Sequence, residues 1–167
     1  IAVDNGIVAH KQVDYCRSKD CDIIIVDHHE PEDKLPEANI IVHSTATCAA
    51  GLAWYFSLQQ EHLALVALAV ICDLVPLIGL NRSFAKFGLA ELNKTTRPGL
   101  KELIKLAGIT KDIGPYEVGF VLGPRINAMG RLEHAIDSLR LLCTTDNTRA
   151  VQLAKVLDDT NRQRQDE

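Results

Sequence analysis

The chain has little positive charge to spare and no apolar run of transmembrane length. Its 22 Asp and Glu outnumber 18 Lys and Arg, so the formal net charge is −4. This balance argues against a generally basic nucleic-acid-binding protein. The longest apolar run, residues 63–72, is too short to span a bilayer and is followed by Asp73. We therefore expect no membrane segment, and 167 residues suffice for a hydrophobic core.

Closely spaced cysteine pairs are also missing. The chain has five cysteines, an odd number, and no C-x-x-C motif. This pattern favours reduced thiols in a cytoplasmic protein. Cys16 and Cys21 are weak candidates for a zinc pair, because no second pair follows them.

Two apolar runs, in contrast, each end in potential metal ligands. Residues 23–26 (IIIV) are typical of a buried parallel strand, and D-H-H follows at 27–29. The shorter run at residues 1–3 ends in Asp4. Ligands bind at the carboxyl edge of open parallel sheets, so this arrangement predicts a hard-metal site and phosphate chemistry.

The order of apolar segments predicts an α/β fold, in which a parallel Rossmann-like sheet is followed by a helical portion closing over its carboxyl edge. Strands are predicted at 1–4, 22–27 and 40–42, with a helix at 7–19. Further helices are predicted at 46–59, 62–77, 81–93, 98–107, 115–122, 136–143 and 148–165. Asn81 is the expected N-cap of the third of these, and an irregular loop is predicted at 123–130.

Each candidate ligand also has a structural interpretation. Asp27 would cap a turn beside two surface histidines, and Asp4 would begin an Asx turn. Asp73 follows an apolar run with no Lys or Arg nearby in sequence, so its carboxylate needs a metal or a long-range ion pair.

The segment 123–131 is a candidate phosphate clamp. Its Arg125, Asn127 and Arg131 lie between glycines, and guanidinium groups bind phosphate oxygens in a bidentate manner. The alternative is a segment held by hydrogen bonds from arginine to carbonyl groups.

The charge is unevenly distributed along the chain. Residues 1–78 carry 4 basic and 11 acidic side chains, whereas residues 79–167 carry 14 basic and 11 acidic ones, so the second part could meet a polyanion. The alternative is that chance variation in surface charge produces the same split.

Four motifs together resemble the DHH phosphoesterases, and within them the RecJ-like single-strand-specific 5′ exonucleases. They are V-D-N-G at 3–6, V-D-H-H-E-P at 26–31, A-V-I-C-D-L-V-P-L at 69–77 and G-P-R-I-N-A-M-G-R-L at 123–132. The D-H-H triplet marks the superfamily, and the R-I-N-A-x-G-R segment is the more specific signal. The resemblance extends over the full chain.

The resemblance implies a two-metal site, usually holding Mn²⁺, with Mg²⁺ as an alternative. Asp4 would bridge the ions, His28 would be a direct ligand and Asp73 would bind the other ion. Asp27 and His29 would be catalytic: Asp27 would orient the site and His29 would face the scissile phosphate. The implied substrate-phosphate ligands are Arg125, Asn127 and Arg131.

The resemblance also implies parts that these residues do not supply. A D-x-D motif is expected before Ile1 and a nucleic-acid-binding domain after the terminal helix. The chain would then be a partial DHH domain, with its sheet part at about 1–60, its helical part at about 61–160 and the start of a linker helix. We expect such a fragment to be inactive alone.

The implied whole protein is a cytoplasmic, monomeric exonuclease acting on single-stranded DNA in repair and recombination, with a single-strand-binding protein or helicase as possible partner. One alternative is a phosphodiesterase or pyrophosphatase for small nucleotides. Another is an inactive replication scaffold, which would have no physical need for clustered unpaired ligands.

Overall fold

The computed structural model describes residues 1–132 and 135–166, apart from the side chains of Met129, Arg131, Leu132 and Asp166. The chain divides into two compact units, Ile1–Gly88 and Leu89–Glu167. In the described part, no helix is both long and apolar enough to cross a membrane.

A three-stranded parallel sheet forms the centre of the first unit. Its strands β1 (Ala2–Val3), β2 (Ile24–Asp27) and β3 (Ile40–His43) lie side by side in that order. The β-branched side chains of β2 pack into the interior, where Ile25 and Val26 are buried. The predicted α/β fold with a parallel sheet is therefore confirmed.

The register of the strands aligns their carboxyl ends. Val3 pairs with Val26, so β1 ends one residue before β2, and Asp27 pairs with His43 on β3. Asp4 therefore comes directly after β1, beside the end of β2. This register explains why the polar side chains lie together at the carboxyl edge of the sheet, as predicted.

The first unit also contains the helices α1 (His10–Arg17), α2 (Ala49–Ser57) and α3 (Leu63–Cys72). Helix α3 is buried on most sides, as its apolar sequence predicts. The prediction that it continues to residue 77 is wrong. It ends at Cys72, where Asp73 is the C-cap and Leu74 adopts a left-handed conformation with φ of 57°.

Helix α4 (Gly79–Leu92) begins two residues earlier than predicted, so Asn81 is not its N-cap. Asn81 lies inside the first turn and is buried. Its side-chain amide donates to the carbonyl oxygens of Ala46 and Pro76, at 3.0 and 3.1 Å. A tertiary partner thus takes the side chain that the local pattern assigned to capping.

The second unit contains helices α5 (Pro98–Leu106), α6 (Gly123–Leu132), α7 (Ile136–Cys143) and α8 (Asn147–Asp166). Helix α5 begins with proline at its first position, as predicted, and the chain turns after it at Gly108 with φ of 68°. Helices α5, α6 and α7 each pack against α8. The core residues of this unit include five fully buried leucines: Leu100, Leu103, Leu122, Leu141 and Leu157.

The loop predicted at 123–130 is instead helix α6. A π-helical stretch, Glu117–Leu122, precedes it and joins it without a break. Pro124 lacks an amide hydrogen and its ring would crowd the preceding carbonyls of an α-helix. The wider π turn accommodates the proline, so two residues that normally break helices sit within a continuous one.

Candidate metal centre

Asp4 presents its carboxylate at the carboxyl edge of the sheet. Its backbone adopts the left-handed conformation, with φ of 61°, and its amide donates to Val26 O at 2.9 Å. Aspartate tolerates this conformation better than most residues. The turn continues through Gly6, with φ of 120°, so the chain bends sharply and leaves the Asp4 side chain exposed.

His28 lies between two carboxylates. Its Nε2 is 3.1 Å from Asp4 Oδ1 and 3.4 Å from Asp73 Oδ2, and its side chain is 13% exposed. Asp73 caps the C-terminus of α3, where the helix dipole is negative and an added carboxylate is unfavourable. A cation near Asp73 would offset that cost.

Asp27 is buried at this edge of the sheet and binds the neighbouring backbone. The carboxylate is 1% exposed; Oδ2 accepts from the Ile7 amide at 2.9 Å and Oδ1 accepts from the His28 amide at 2.8 Å. Burial raises the pKa of Asp27, but the hydrogen bonds from Ile7, His29 and His28 outweigh it and lower the pKa to about 2. Asp27 is therefore ionised at neutral pH.

The His29 ring is oriented by Asp27. Its Nδ1 is 2.7 Å from Asp27 Oδ1, and because a carboxylate only accepts, Nδ1 carries the hydrogen. This hydrogen bond raises the pKa of His29. Burial lowers that pKa by a smaller amount, and the charge of Asp27 adds to the increase. The ring is otherwise exposed, so its other nitrogen, Nε2, is left for a ligand or a substrate.

These donor atoms fit a divalent cation. Asp4, His28 and His29 each offer a ligand atom within 4.8 Å of the others, and Asp73 adds a carboxylate oxygen beside His28. Neighbouring ligands at about 2.1 Å from one octahedral ion lie about 3 Å apart. The separations around His28 are close to that value.

Sequence reasoning misses His43, which also lies at this edge. Its Nε2 is 2.7 Å from the carbonyl oxygen of His29, so Nε2 carries the hydrogen. His43 ends β3 opposite Asp27, and helps to fix the backbone that carries the His29 ring. The signal was a third apolar run, I-I-V, ending in a histidine.

The three residues of the candidate phosphate clamp belong to helix α6 in the second unit. Arg125 Nε donates to Asp158 Oδ1 and its Nη1 donates to Val121 O, both at 2.8 Å. The hydrogen bond from Arg125 to the Val121 carbonyl is of the kind expected if this segment is held in place by bonds from arginine to carbonyl groups. Asn127 is exposed, whereas the side chain of Arg131 lies outside the described residues.

The chain is similar to proteins of known activity over nearly its whole length. The family model "DHH family, N-terminal domain" matches residues 1–75. The chain is 40% identical, over 99% of its length, to the single-stranded-DNA-specific exonuclease RecJ of Bacillus subtilis and 32% identical to that of Escherichia coli. It covers 23% and 34% of these two proteins, so it spans about a quarter to a third of their lengths.

Solved structures give the same result. The crystal structure of RecJ in complex with Mn²⁺ from Thermus thermophilus superposes with a TM-score of 0.85 and 34% identity, covering 98% of this chain and 27% of that one. A structure of the same enzyme in complex with Mg²⁺ matches with a TM-score of 0.68 over 87% of this chain.

Proposed function

The chain belongs to the DHH family, and on that basis we propose that it is the metal-binding part of a nuclease that hydrolyses phosphodiester bonds in single-stranded DNA. The observation that carries this proposal is the position of His28 Nε2, within 3.4 Å of carboxylate oxygens from both Asp4 and Asp73. Asp4 follows the end of β1, whereas Asp73 caps α3, 69 positions further along the chain. The RecJ relatives, whose names state this substrate, support it.

Asp4, His28 and Asp73 are the residues that would hold Mn²⁺ or Mg²⁺, the ions named in the structures of relatives. Such ions, when bound, lower the pKa of a water molecule and stabilise charge on phosphate oxygens. Carboxylate oxygens suit both Mg²⁺ and Mn²⁺, and the imidazole of His28 adds a nitrogen donor. Two ions would need more donors than these three residues supply.

Asp27 and His29 act together on the substrate. The ionised Asp27 holds the Nδ1 hydrogen of His29 and keeps the ring in one tautomer and orientation. The hydrogen bond to Asp27 raises the pKa of His29, which favours the form with a hydrogen on Nε2. His29 Nε2 can then donate to a phosphate oxygen and offset negative charge that develops there.

Arg125, Asn127 and Arg131 are proposed to hold substrate phosphates. The bonds to Asp158 and Val121 use Nε and Nη1 of Arg125, which leaves Nη2 to donate to a phosphate oxygen. Asp158 would then be a positioning residue for that guanidinium. We also propose that the whole protein works as a 5′ exonuclease in DNA repair and recombination, as a cytoplasmic monomer alongside a single-strand-binding protein or helicase.

The test compares substrates and a metal-site variant in the full-length protein. We expect Mn²⁺-dependent digestion of a long single strand, with much slower digestion of duplex DNA and of a dinucleotide. Asp4→Asn should abolish digestion and weaken Mn²⁺ binding in calorimetry. Asp14→Asn, which removes the same charge from an exposed position on α1, should change neither.

Three results would contradict the proposal. Preference for the dinucleotide would assign the chain to a small-nucleotide phosphodiesterase. Binding of single-stranded DNA without metal-dependent hydrolysis would point to a scaffold. Equal activity of Asp4→Asn and the unsubstituted protein would remove the metal site from the mechanism.

A further inference from the structure

The second unit displays both of its aromatic side chains on its surface. Between residues 89 and 167 the sequence contains one Tyr and one Phe and no Trp. Tyr116 is 64% exposed and Phe120 is 72% exposed. Aromatic rings normally contribute large buried areas to a core, whereas these two rings contribute little to the core of this unit and are accessible to a ligand.

The two rings are stacked on each other. Their centroids are 5.1 Å apart and their planes differ by 30°, which is closer to an offset stack than to an edge-to-face contact. In the first unit, the ring pairs formed by Trp54, Tyr55 and Phe84 meet edge to face, at 69–73°. A stacked, exposed pair presents flat π faces to the solvent.

The backbone beneath the rings is held in place. Glu117 Oε2 accepts from the Gly114 amide at 2.9 Å and Oε1 pairs with Lys111 Nζ at 2.9 Å, which closes the first turn. On the other side of the run, Val118 and Leu122 are fully buried. Little conformational freedom would be lost if a ligand stacked on Tyr116 or Phe120.

The aromatic pair shares one helical run with the proposed phosphate-binding residues. The π-helical stretch carries Phe120 and passes directly into α6, which carries Arg125 and the exposed Asn127. Proteins that bind single strands combine groups that hold phosphates with aromatic faces on which unpaired bases stack. Duplex bases are already stacked and cannot use such faces.

From these observations we propose that Tyr116 and Phe120 form a base-stacking platform for single-stranded nucleic acid. The platform rests on the proposed function, because it assumes a single-stranded substrate on this unit. It adds to that function a physical basis for the preference for unpaired strands. The ligand is an unpaired nucleobase whose phosphates reach the neighbouring part of α6.

The test separates base contacts from phosphate contacts. Binding of the full-length protein to a fluorescent 12-nucleotide oligothymidylate is compared with binding to a 12-unit abasic strand, in EDTA so that nothing is hydrolysed. We expect the bases to strengthen binding about tenfold per stacked base. Phe120→Leu and Tyr116→Leu should each weaken oligothymidylate binding about tenfold while leaving abasic binding unchanged.

Two further variants control for nonspecific effects. Phe120→Trp should retain the preference for bases, because an indole face also stacks. Leu139→Ala removes an apolar side chain of similar exposure from α7 in the same unit, and it should change neither affinity. Because both rings are exposed, the leucine variants should melt at the temperature of the unsubstituted protein.

Several results would overturn the platform. Equal losses for the two ligands in Phe120→Leu would indicate a structural role, and no loss would show that the rings do not touch DNA. A dimer that becomes monomeric in Phe120→Leu, measured by sedimentation, would identify the patch as a contact between copies. If any of these results is found while the protein still digests single-stranded DNA normally, only the platform fails. If the protein neither binds nor digests single-stranded DNA, the proposed function fails as well.

Discussion

Arg125 and Asp158 form an ion pair that is almost closed to solvent. Arg125 Nε lies 2.8 Å from Asp158 Oδ1, and the aspartate side chain is 4% exposed. Arg162, one turn further along α8, pairs with the other oxygen of the same carboxylate, also at 2.8 Å. One aspartate thus connects α8 to α6 and fixes the direction of the Arg125 guanidinium.

Asp158→Asn should destabilise the protein by about 3 kcal/mol, because it leaves Arg125 without a counter-charge in a nearly buried position. Equilibrium denaturation by urea measures this. Asp137→Asn is the matched control: Asp137 pairs with Arg140 at 2.8 Å at the surface, and its loss should cost less than about 1 kcal/mol. Equal losses in the two variants would show that burial adds nothing to the Arg125 pair.

Asp73→Asn should weaken Mn²⁺ binding at least tenfold, since outer partners of ligands alone change affinity about 10- to 100-fold. Titration calorimetry provides the measurement. The helix itself should tolerate the change or gain stability, because a charge that opposes the dipole of α3 is removed. A metal affinity that is unchanged in Asp73→Asn would exclude Asp73 from the ligand set.

Gly99→Ala should cost about 3 kcal/mol or more through overpacking. A Cβ at this position would lie 1.9 Å from the carbonyl oxygen of Leu141, so α5 and α7 would have to separate. Lys101→Ala, at an exposed position of the same helix, should change the free energy of unfolding by less than about 0.5 kcal/mol. Similar unfolding midpoints for the two variants would contradict the close approach.

Glu117→Gln should lower the melting temperature at neutral pH and have little effect in strong acid. The hydrogen bond from Lys111 and the amides of Gly114 and Glu117 lower the pKa of Glu117 from 4.5 to about 2. A lowered pKa gives stability that is present above pH 4.5 and is lost as the pH falls through about 2. Calorimetry between pH 2 and pH 7 should show the two proteins converging across that window.

A control for this pH dependence is Glu102→Gln. Glu102 pairs with Lys105 at 3.2 Å on the surface of α5, and such pairs contribute little. Its melting temperature should follow that of the unsubstituted protein throughout. A constant deficit of Glu117→Gln down to pH 2 would mean that the carboxylate charge is not what stabilises the turn.

The sequence predicted best where local pattern and tertiary structure agree. Strand β2 and the cluster at its end could be predicted because four β-formers run directly into Asp27 and two histidines. The ends of α7 were predicted to the residue, from an apolar face with no competing signal.

The errors arose where a structural feature outside the local pattern decided the outcome. Asn81 looks like a cap until Ala46, 35 residues away, takes its amide. Gly123 and Pro124 are typical of a loop, and only the π turn before them explains a helix there. The role of Asp158 could not be seen from sequence, because 33 residues separate it from Arg125.

The π-helical stretch also sets an angular phase. Each i→i+5 turn takes up about one residue more than an α-helical turn, and each residue of an α-helix turns the chain by about 100°. Removing Val121 or Leu122 would therefore rotate Phe120 relative to Arg125 by roughly a quarter of a turn, with every functional side chain still present. The relative orientation of Phe120 and Arg125 therefore depends on the number of residues in this stretch as well as on which side chains are present.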